Sequence, residues 1–406
     1  MKKYRFHLLS LVHLPQSKRY MSCAFTQKNR KMAKMLTDLG HEVFFYGSEG
    51  SDVEEYCNSD NLHFIQTHTL DDIRRDYGVG DNRYELGYAW NTMDFKHDLS
   101  DDVVKPSTVK FYANCIKNIN SVKKPDDFLL ISQGRYQEPI RKSVGLFLNC
   151  EFGIGYRGSV SSNWRAFESS YIQNYTYGGE NGLKCASGSH YDRVIPNYFD
   201  ANDIEYSDKK GDYYLFIGRI IGRKGVAIAV ETCKHIGKKL IIVGQGAKLV
   251  NGDLIDNAPH EVTIKKGYLD FEYLGFADVN KRKELMANAI ATFTPTTYLE
   301  CFAGTHVESM LSGTPPITTN FGVFPETIPS VLDGIVGFRC NTLDDFVEAS
   351  LKARYVDHKK IRSYAERFLM GNVTKEFIRW FDDLYNIWES SVDSTKQGFN
   401  RVYKRV

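Results

Sequence analysis

Short apolar runs alternate with stretches of helical spacing along most of the chain. The alternation fills the first half and starts again after position 212. Because parallel strands need a crossover of a dozen or more residues, usually a helix, this order predicts parallel α/β layers. A chain of 406 residues is long enough for two such units rather than one.

The first half contains five predicted strands and one clearly marked helix. The helix spans Thr26–Leu39, and Gly40 follows it at a position typical of helix ends. Positions 71–107 are polar and aperiodic, which predicts a surface excursion. The predicted strands are Phe6–Val12, Glu42–Tyr46, Leu62–Ile65, Phe128–Ser132 and Leu146–Asn149.

The second half repeats the pattern after a linker. Val194–Asp200 predicts a short strand that breaks into this linker, and Ser207–Asp212 is a polar gap. The apolar spacing over Lys375–Ser390 predicts an amphipathic helix that packs on the rest of the chain. The predicted units are therefore a domain 1–198, a domain 199–375 and a terminal segment 376–406 that packs back toward the first domain. The second series is Tyr213–Ile217, Gly225–Ile236, Lys239–Val243, Tyr273–Gly275, Lys281–Ala289, Ala291–Thr294, Thr305–Ser312 and Ile317–Thr319.

The overall charge is nearly balanced. With 52 basic and 50 acidic residues, the net charge of +2 gives no general affinity for polyanions. Nine Lys and Arg residues nevertheless precede the first acid, Asp38. Such a run is usually a solvated helix face, and it could also attract a phosphorylated lipid, an acidic glycan or DNA. The cations around the expected acceptor opening are Lys18, Arg19, Lys28, Arg30, Lys31 and Lys34.

Cysteine spacing and hydropathy bear on the compartment. Eight cysteines are scattered without any Cys-x-x-Cys pair, which favours a reducing, cytoplasmic setting. The apolar run near the start contains His7 and is followed by Pro15 and Lys18, which favours a first buried strand over a signal peptide. No run approaches the ~18 apolar residues needed to cross a bilayer, so stable membrane insertion is not expected.

Two glutamates, Glu300 and Glu308, bracket a turn that leads into a predicted helix. On one straight helix they would lie ~12 Å apart. With Glu300 in the loop, both carboxylates can reach one ligand, the first holding a sugar hydroxyl and the second a ribose. The unpaired N–H groups of the first helical turn remain for a phosphate.

A basic turn follows the strand Tyr213–Ile217. The carboxyl end of a parallel strand opens onto the ligand crevice, so Arg219 and Lys224 are predicted to face an anion there. A solvated basic turn is the alternative. The sequence contains no Asp-x-Asp, so a divalent cation is not the expected phosphate clamp. The charge of an anion bound there would instead be stabilised by Arg219, Lys224 and the helix dipole.

These motifs, in this order, resemble the family 4 retaining nucleotide-sugar glycosyltransferases, which have the GT-B fold. The resemblance covers roughly 6–385 and is tight only in the second half. It implies an α/β architecture of two Rossmann-like, doubly wound domains that face a central cleft, with a C-terminal helix that crosses back. The matching segments are 194–200 (Ile-Pro-Asn-x-x-Asp), 218–225 (Gly-Arg-x-x-x-x-Lys-Gly), 240–246, 300–308 (Glu-x7-Glu), 313–315 and 322–326.

The resemblance implies a role for each matching residue. Glu300, Arg219 and Lys224 would be the catalytic residues, with Glu300 on the donor sugar and the two cations on the leaving diphosphate. Glu308 would hold the ribose. The family commonly has Gly on both sides of the Phe, where this chain has Cys301 and Ala303, which narrows the sugar pocket. The other implied donor-binding residues are Phe302, Ala303, Gly304, Thr305, Gly218, Arg223, Gly246 and Phe276.

The acceptor side is less clearly marked. Residues 153–158 spell Gly-x-Gly-x-x-Gly, the dinucleotide fingerprint, but no good helix opening follows. A flexible cleft loop at a strand end is the preferred interpretation. Glu151 stands where relatives often place a His that contacts the sugar. The acceptor-side candidates are His13, Gln133, Arg135, Glu151, Gly153 and Tyr156.

The leading hypothesis is a retaining glycosyltransferase. It would move a sugar from a UDP- or GDP-type donor to a hydroxyl of a glycan or glycoconjugate, with no cofactor and no metal. One alternative is a transferase that acts on a modified base of DNA. A second is a catalytically silent protein that binds sugar nucleotides, and a third is a nicotinamide oxidoreductase that rests on the 153–158 glycines.

Overall fold

The computed structural model describes residues 2–21, 23–77, 105–156, 158, 160–181, 191–257 and 261–392. Within these residues, two parallel sheets are each covered by helices. The first sheet has the strand order β3-β2-β1-β4-β5-β6-β7, and its paired strands all run parallel. Its strands are β1 (Arg5–Leu9), β2 (Glu42–Ser48), β3 (Leu62–His68), β4 (Phe128–Ile131), β5 (Leu148–Ile154), β6 (Trp164–Phe167) and β7 (Arg193–Val194).

The second sheet has six parallel strands in the order β13-β9-β8-β14-β15-β16. A small antiparallel sheet, β10-β11-β12, is inserted after β9. The strands of this half are β8 (Tyr213–Ile217), β9 (Lys239–Val243), β10 (Ala247–Val250), β11 (Asp253–Asp256), β12 (Thr263–Ile264), β13 (Phe271–Gly275), β14 (Thr292–Thr294), β15 (Pro316–Thr319) and β16 (Phe338–Cys340).

Helices connect most successive strands, as parallel pairing requires. In the first half they are α1 (Ala24–Asp38), α2 (Val53–Cys57), α3 (Leu70–Tyr77), α4 (Pro106–Val122), α5 (Glu138–Val144) and α6 (Ser170–Asn181). In the second half they are α7 (Val226–Ile236), α8 (Val279–Asn288), α9 (Gly304–Leu311), α10 (Phe324–Thr327), α11 (Leu343–Lys352), α12 (His358–Ala365) and α13 (Met370–Val392).

The chain crosses between the two halves at two adjacent places. The N–H of Phe199 donates to the carbonyl of Phe368, and the N–H of Met370 donates to the carbonyl of Phe199. The long helix α13 then packs on the core of the first sheet, where Phe381 lies against Phe6 and Phe128. The predicted return of the last helix is confirmed. The domain boundaries at 198 and 375 stay predictions.

The predicted strands that lie at sheet centres agree best with the structure. Tyr213–Ile217 and Lys239–Val243 have the predicted bounds, because both strands are buried apolar runs within a parallel sheet. The surface excursion predicted at 71–107 is wrong at its two ends, which belong to α3 and α4; the stretch 78–104 lies outside the described residues. Thr69 and Asp72 form the reciprocal capping bonds that start α3.

The predicted basic face of the first helix is corrected by the structure. Lys28 is buried and pairs with Glu168, Arg30 is buried and pairs with Asp52, and Lys31 is also buried. Pairing within the fold neutralises Lys28 and Arg30, so this part of the chain is not a solvated cationic stripe. The argument for a DNA acceptor loses its main support. Among the described residues, no helix is long and apolar enough to pass through a bilayer.

Candidate functional site

The basic turn and the first glutamate meet at the carboxyl end of β8. Lys224 Nζ lies 2.5 Å from Glu300 Oε1 and 3.1 Å from the hydroxyl of Tyr298. The Tyr298 hydroxyl donates to Glu300 Oε2 at 2.6 Å. Glu300 is 5% exposed, so its carboxylate is held by two partners in a nearly dry position. Sequence reasoning gave Tyr298 no role, although it lies only two residues before Glu300.

Backbone contacts join the two segments that carry these side chains. The carbonyl of Arg223 accepts from the N–H of Thr297 at 2.9 Å and from the Thr296 hydroxyl at 3.0 Å. Gly225 has φ +74°, and a methyl group on its Cα would lie 1.9 Å from the carbonyl oxygen of Pro295. Only glycine permits both the left-handed backbone and this close approach. The absence of a side chain at Gly225 therefore lets the two segments approach closely enough for Lys224 to contact Glu300.

Glycines also support the start of the basic turn. The N–H of Gly218 donates to the carbonyl of Val243, and the N–H of Ile220 donates to that of Gln245. A methyl group at Gly244, which has φ +146°, would lie 1.8 Å from the Gly218 carbonyl oxygen. A methyl group at Gly246, which has φ +104°, would lie 3.1 Å from the carbonyl oxygen of Ile220. The predicted donor-side residues Gly218 and Gly246 thus shape the backbone beside Arg219.

Burial and neighbouring charge act together on this cluster. Burial, followed by the charge of Arg223, lowers the pKa of Arg219. Burial, followed by the charge of Glu300, raises the pKa of Tyr298, so its phenol keeps its proton and remains a hydrogen-bond donor. Arg223 is exposed, and its guanidinium carbon lies 5.4 Å from the centre of the Tyr298 ring. The structure therefore brings Arg219, Arg223, Lys224 and Glu300 together.

The segment after Glu300 turns sharply into α9. Ala303 has φ +59° and ψ +62°, a left-handed conformation that is strained for a residue with a side chain. His306 accounts for this turn, because its Nδ1 donates to the carbonyl of Ala303 at 2.5 Å and its Nε2 accepts from the Thr327 hydroxyl at 2.7 Å. Gly304 and Thr305 begin α9, where N–H groups have no helical partner. The side chain of Phe302 is buried against Phe199 and Phe368, so its donor contact can come only from the backbone.

Acid is expected to destabilise the protein through His306. Burial lowers its pKa to about 4 from the model-peptide value of 6.5. Between these two values the folded protein binds fewer protons than the unfolded chain, so stability falls as the pH drops through this window. The full loss is about 3 kcal/mol. Urea unfolding midpoints at pH 7 and pH 4.5 should show the loss, and His306→Asn should reduce it; an equal pH dependence in both proteins would contradict this origin.

Glu308 occupies a different cluster from Glu300. Its carboxylate pairs with the guanidinium of Arg282 from α8. Glu308, Arg282 and Lys31 of α1 line one pocket between the two halves. That both acids reach one ligand stays a prediction, and Arg282 would have to share or release Glu308 for a ribose to bind. No local sequence signal marked Arg282.

On the acceptor side, the carboxylate of Glu151 holds a loop in place through hydrogen bonds. It is fully buried, and its carboxylate accepts from the N–H groups of Ser161 and Ser162 and from the hydroxyl of Tyr156. Burial raises the pKa of Glu151. Phe25 of α1 lies against Tyr156, with ring centres 5.6 Å apart. Glu151 and Tyr156 thus hold each other, and neither is presented openly to a ligand.

Gly153 and Gly155 have a packing explanation. A methyl group at Gly155 would lie 2.2 Å from Glu168 Oε2, and one at Gly153 would lie 2.9 Å from Lys28 Cδ. They make room for the buried Lys28–Glu168 ion pair. Gly153 lies within β5, so the predicted flexible loop is wrong at this position, and the next described element is strand β6 rather than a helix. The dinucleotide fingerprint is not supported.

The other acceptor-side candidates lie at the ends of β1 and β4. His13 is half-buried beside Tyr77, and burial lowers its pKa to about 3. Gln133 is half-buried and its N–H donates to the side chain of Gln137. Arg135 is exposed in the same turn. Gln137 in turn donates to the carbonyl of Ser10, which ties the two strand ends together.

Hydrogen bonds join the start of α6, in the first half, to the segments around Glu300 and Glu326. The Glu326 carboxylate accepts from the N–H groups of Ser170 at 2.8 Å and Tyr171 at 2.7 Å. The Ser169 hydroxyl donates to the carbonyl of Cys301 at 2.7 Å. Charge and helix dipole reinforce each other at this helix start. The sequence placed Glu326 in a family motif but did not reveal its partner.

Within the described residues, no group of three or more His, Cys, Asp or Glu side chains is placed to hold a metal ion.

Comparisons with known proteins agree with this architecture. Residues 200–362 match the sequence profile of the family described as glycosyl transferases group 1. Two uncharacterized glycosyltransferases of Methanocaldococcus jannaschii, MJ1607 and MJ1178, are 23% and 25% identical over 40% and 53% of this chain. The matches span 43% and 54% of those two relatives, so the chain covers about half of their length.

Solved structures of similar fold extend over nearly the whole chain. Sucrose-phosphate synthase from Thermosynechococcus elongatus is 14% identical, with a TM-score of 0.64, covering 95% of this chain and 100% of its own. Anabaena HepE, solved in complex with UDP and glucose, is 12% identical, with a TM-score of 0.59, covering 94% of this chain and 100% of its own. The protein has the GT-B fold, two parallel-sheet Rossmann-like halves, and residues 200–362 of its second half are similar to the glycosyl transferases group 1 family.

Proposed function

We propose that the protein is a retaining glycosyltransferase that transfers a sugar from a nucleoside diphosphate sugar to a hydroxyl of a glycan or glycoconjugate. The observation that carries this proposal is the cluster of Lys224, Glu300 and Tyr298 beside Arg219, at the carboxyl end of β8. The group 1 family match over 200–362 contains the entire cluster and supports the same chemistry.

Each side chain of the cluster has a task in this proposal. Glu300 accepts a hydrogen bond from a hydroxyl of the donor sugar, and Tyr298 fixes the orientation of its carboxylate. Lys224 exchanges its contact with Glu300 for one with the diphosphate, where Arg219 supplies a second cation. Such preorganised charges stabilise the negative charge that develops on the leaving group, each with a typical effect of ~3 kcal/mol on the barrier.

In the proposed reaction one covalent bond of the donor breaks and one new bond to the acceptor forms. The bond between the anomeric carbon and the diphosphate oxygen breaks, and the acceptor oxygen bonds to the same face of the sugar. The acceptor proton passes to the departing diphosphate, so the configuration is retained without a long-lived covalent intermediate. The resemblance of residues 218–225 and 300–308 to the retaining family supports this stereochemistry.

The donor is proposed to be of the UDP or GDP type, and no metal ion is proposed to take part. A panel of UDP- and GDP-sugars, incubated with and without EDTA, should show release of the nucleoside diphosphate for at least one donor. Because side-chain cations and the start of α9 supply the positive charge, EDTA should change the rate by less than about twofold. Mass detection of nucleotide and sugar products checks both points. Release of no diphosphate would favour the silent binding protein, and complete loss with EDTA would refute the metal-free mechanism.

A further inference from the structure

A pocket between the two halves contains polar groups that have no hydrogen-bond partner among the described residues. It lies between α1 on one side and α8 and α9 on the other, and encloses about 40 Å³. Its charged side chains are Lys18, Lys31, Asp203, Arg282, Lys283 and Glu308. None of them belongs to the basic turn 218–225 or to the cluster of Lys224, Tyr298 and Glu300, and Glu308 is the one residue shared with the predicted donor-binding set.

Lys31 is the most unusual of these residues. It is 8% exposed, yet among the described residues its ammonium group forms no hydrogen bond and no ion pair within 4 Å. Its contact is the ring of Phe199, whose centre lies 5.5 Å from Nζ. Burial lowers the pKa of Lys31, and the charges of Asp203 and Glu308 offset this in part. A largely buried lysine whose ammonium group has no acceptor within the described residues favours the binding of an anion at this place.

Two further groups on the same pocket wall are also unsatisfied. Arg282 donates to Glu308 through one terminal nitrogen, but its Nε is buried and has no acceptor among the described residues. The hydroxyl of Ser312, at the end of α9, is buried and lacks a partner as well. Lys31, Arg282 and Ser312 come from both halves of the molecule and line a single pocket, and each carries a donor that has no partner among the described residues.

The charge of the pocket selects the kind of ligand. Because Arg282 and Glu308 neutralise each other, Lys18, Lys31 and Lys283 remain against Asp203. A ligand that carries negative charge and only acceptor oxygens can accept hydrogen bonds from these cationic side chains. A phosphate group has several such oxygens in a small volume. Lysines suit it because they act as mobile point charges.

We infer that this pocket is a binding site for a phosphate group separate from the donor diphosphate, with Lys31, Arg282 and Ser312 as its inner donors and Lys18 and Lys283 at its rim. The phosphate is either inorganic or carried by a sugar. Since the bound group contacts α1 and both α8 and α9, its binding holds the two halves together beside Glu308.

The test measures phosphate binding rather than transfer. Inorganic phosphate and a hexose 6-phosphate, with the uncharged hexose as reference, are titrated by calorimetry at pH 7 and constant ionic strength. The wild-type protein should bind at least one charged probe, and the tighter of the two identifies the source. Lys31→Met should weaken this binding at least about tenfold, because a neutral side chain of similar length removes the inner charge.

Matched variants separate the site from general charge effects. Lys34→Met on α1 and Lys281→Met on α8 remove cations that pair on the surface with Asp38 and Glu284, and should bind phosphate like the wild-type protein. If Lys31→Met does not fold, Arg282→Lys and Ser312→Ala change other residues that line the pocket. Each of these two variants should weaken phosphate binding. No phosphate binding by the wild-type protein, or equal binding by the folded variants of the wall, would overturn the inference.

Two further measurements distinguish the inferred phosphate site from the donor site of the proposed function. Glu300→Gln should bind phosphate normally, and saturating UDP should leave the phosphate site occupied. Displacement of all bound phosphate by UDP would assign the pocket to the donor diphosphate and overturn a separate site. Phosphate binding that depends on Lys31 in a protein that releases no nucleotide from any donor would refute the transferase and leave this site intact.

Discussion

Glu300→Gln is expected to lower kcat by ~10²- to 10³-fold while the affinity for UDP stays the same or becomes tighter. The amide keeps the shape of the side chain but loses the negative charge that faces the sugar. It also removes the ion pair at 2.5 Å that competes with a diphosphate for Lys224. A loss confined to kcat would indicate that Glu300 acts in the transition state rather than in uniform binding.

The control for this variant is Glu272→Gln. Glu272 lies on β13, where it is exposed and pairs with Lys239 at 2.7 Å, away from the cluster. The same change from acid to amide there should leave kcat and UDP affinity unchanged. Initial rates with the donor found in the panel, together with calorimetric titration of UDP, measure both quantities. Wild-type turnover by Glu300→Gln would exclude the proposed role of this carboxylate.

Gly225→Ala is expected to have the largest effect on stability. The new methyl group would lie 1.9 Å from the carbonyl oxygen of Pro295, and neither atom can rotate away, because the position of Cβ is fixed by the backbone and the oxygen belongs to the backbone. The residue would also have to keep a positive φ. The two segments that carry Lys224 and Glu300 must therefore move apart, and we expect a loss of ~4 kcal/mol or more in the free energy of unfolding.

Gly237→Ala provides a matched comparison at the other end of α7. Gly237 also has a left-handed backbone, with φ +60°, but a methyl group there meets nothing within 4 Å. Its substitution should cost only ~1 kcal/mol, the conformational penalty by itself. Urea unfolding midpoints of the two variants separate backbone strain from the clash. Equal losses in both variants would show that the contact with Pro295 has no energetic importance.

The basic turn and the glutamate segment were predictable because their signals are local. A buried strand, a glycine turn and a helix start place Arg219 and Lys224 at the carboxyl end of β8, where the structure has them. The left-handed Gly225 and the strained Ala303 occur within the same short segments. Fold class was predictable for a related reason, since parallel strands buried on both faces appear as continuous apolar runs.

Partners far apart in the chain could not be predicted. The partners of Lys28, Arg30 and Glu308 have no signal in the sequence, and only the packed structure pairs these residues with Glu168, Asp52 and Arg282. Helix spacing does not report such contacts, because any charged position on a helix surface has the same local pattern. The solvated position predicted for Lys28 and Arg30 was wrong for this reason.

Some missed elements did carry local signals. Pro106 stands in the first turn of α4, where proline is favoured, and Thr342 with Asp345 forms a capping box at the start of α11. The small sheet β10-β11-β12 had weaker signals, because its strands are only two to four residues long. Short strands alternate too briefly for their period to be distinguished from a loop.

The paired crossings at Phe199 and Leu369 limit how the protein can move. Since two stretches of backbone pass side by side and are hydrogen-bonded to each other, neither half can slide or swivel without deforming both. We expect the least costly displacement to be a rotation about an axis through this doubled connection. Such a rotation would open and close the cleft along one path, so that side chains on its opposite walls return to the same relative positions each time.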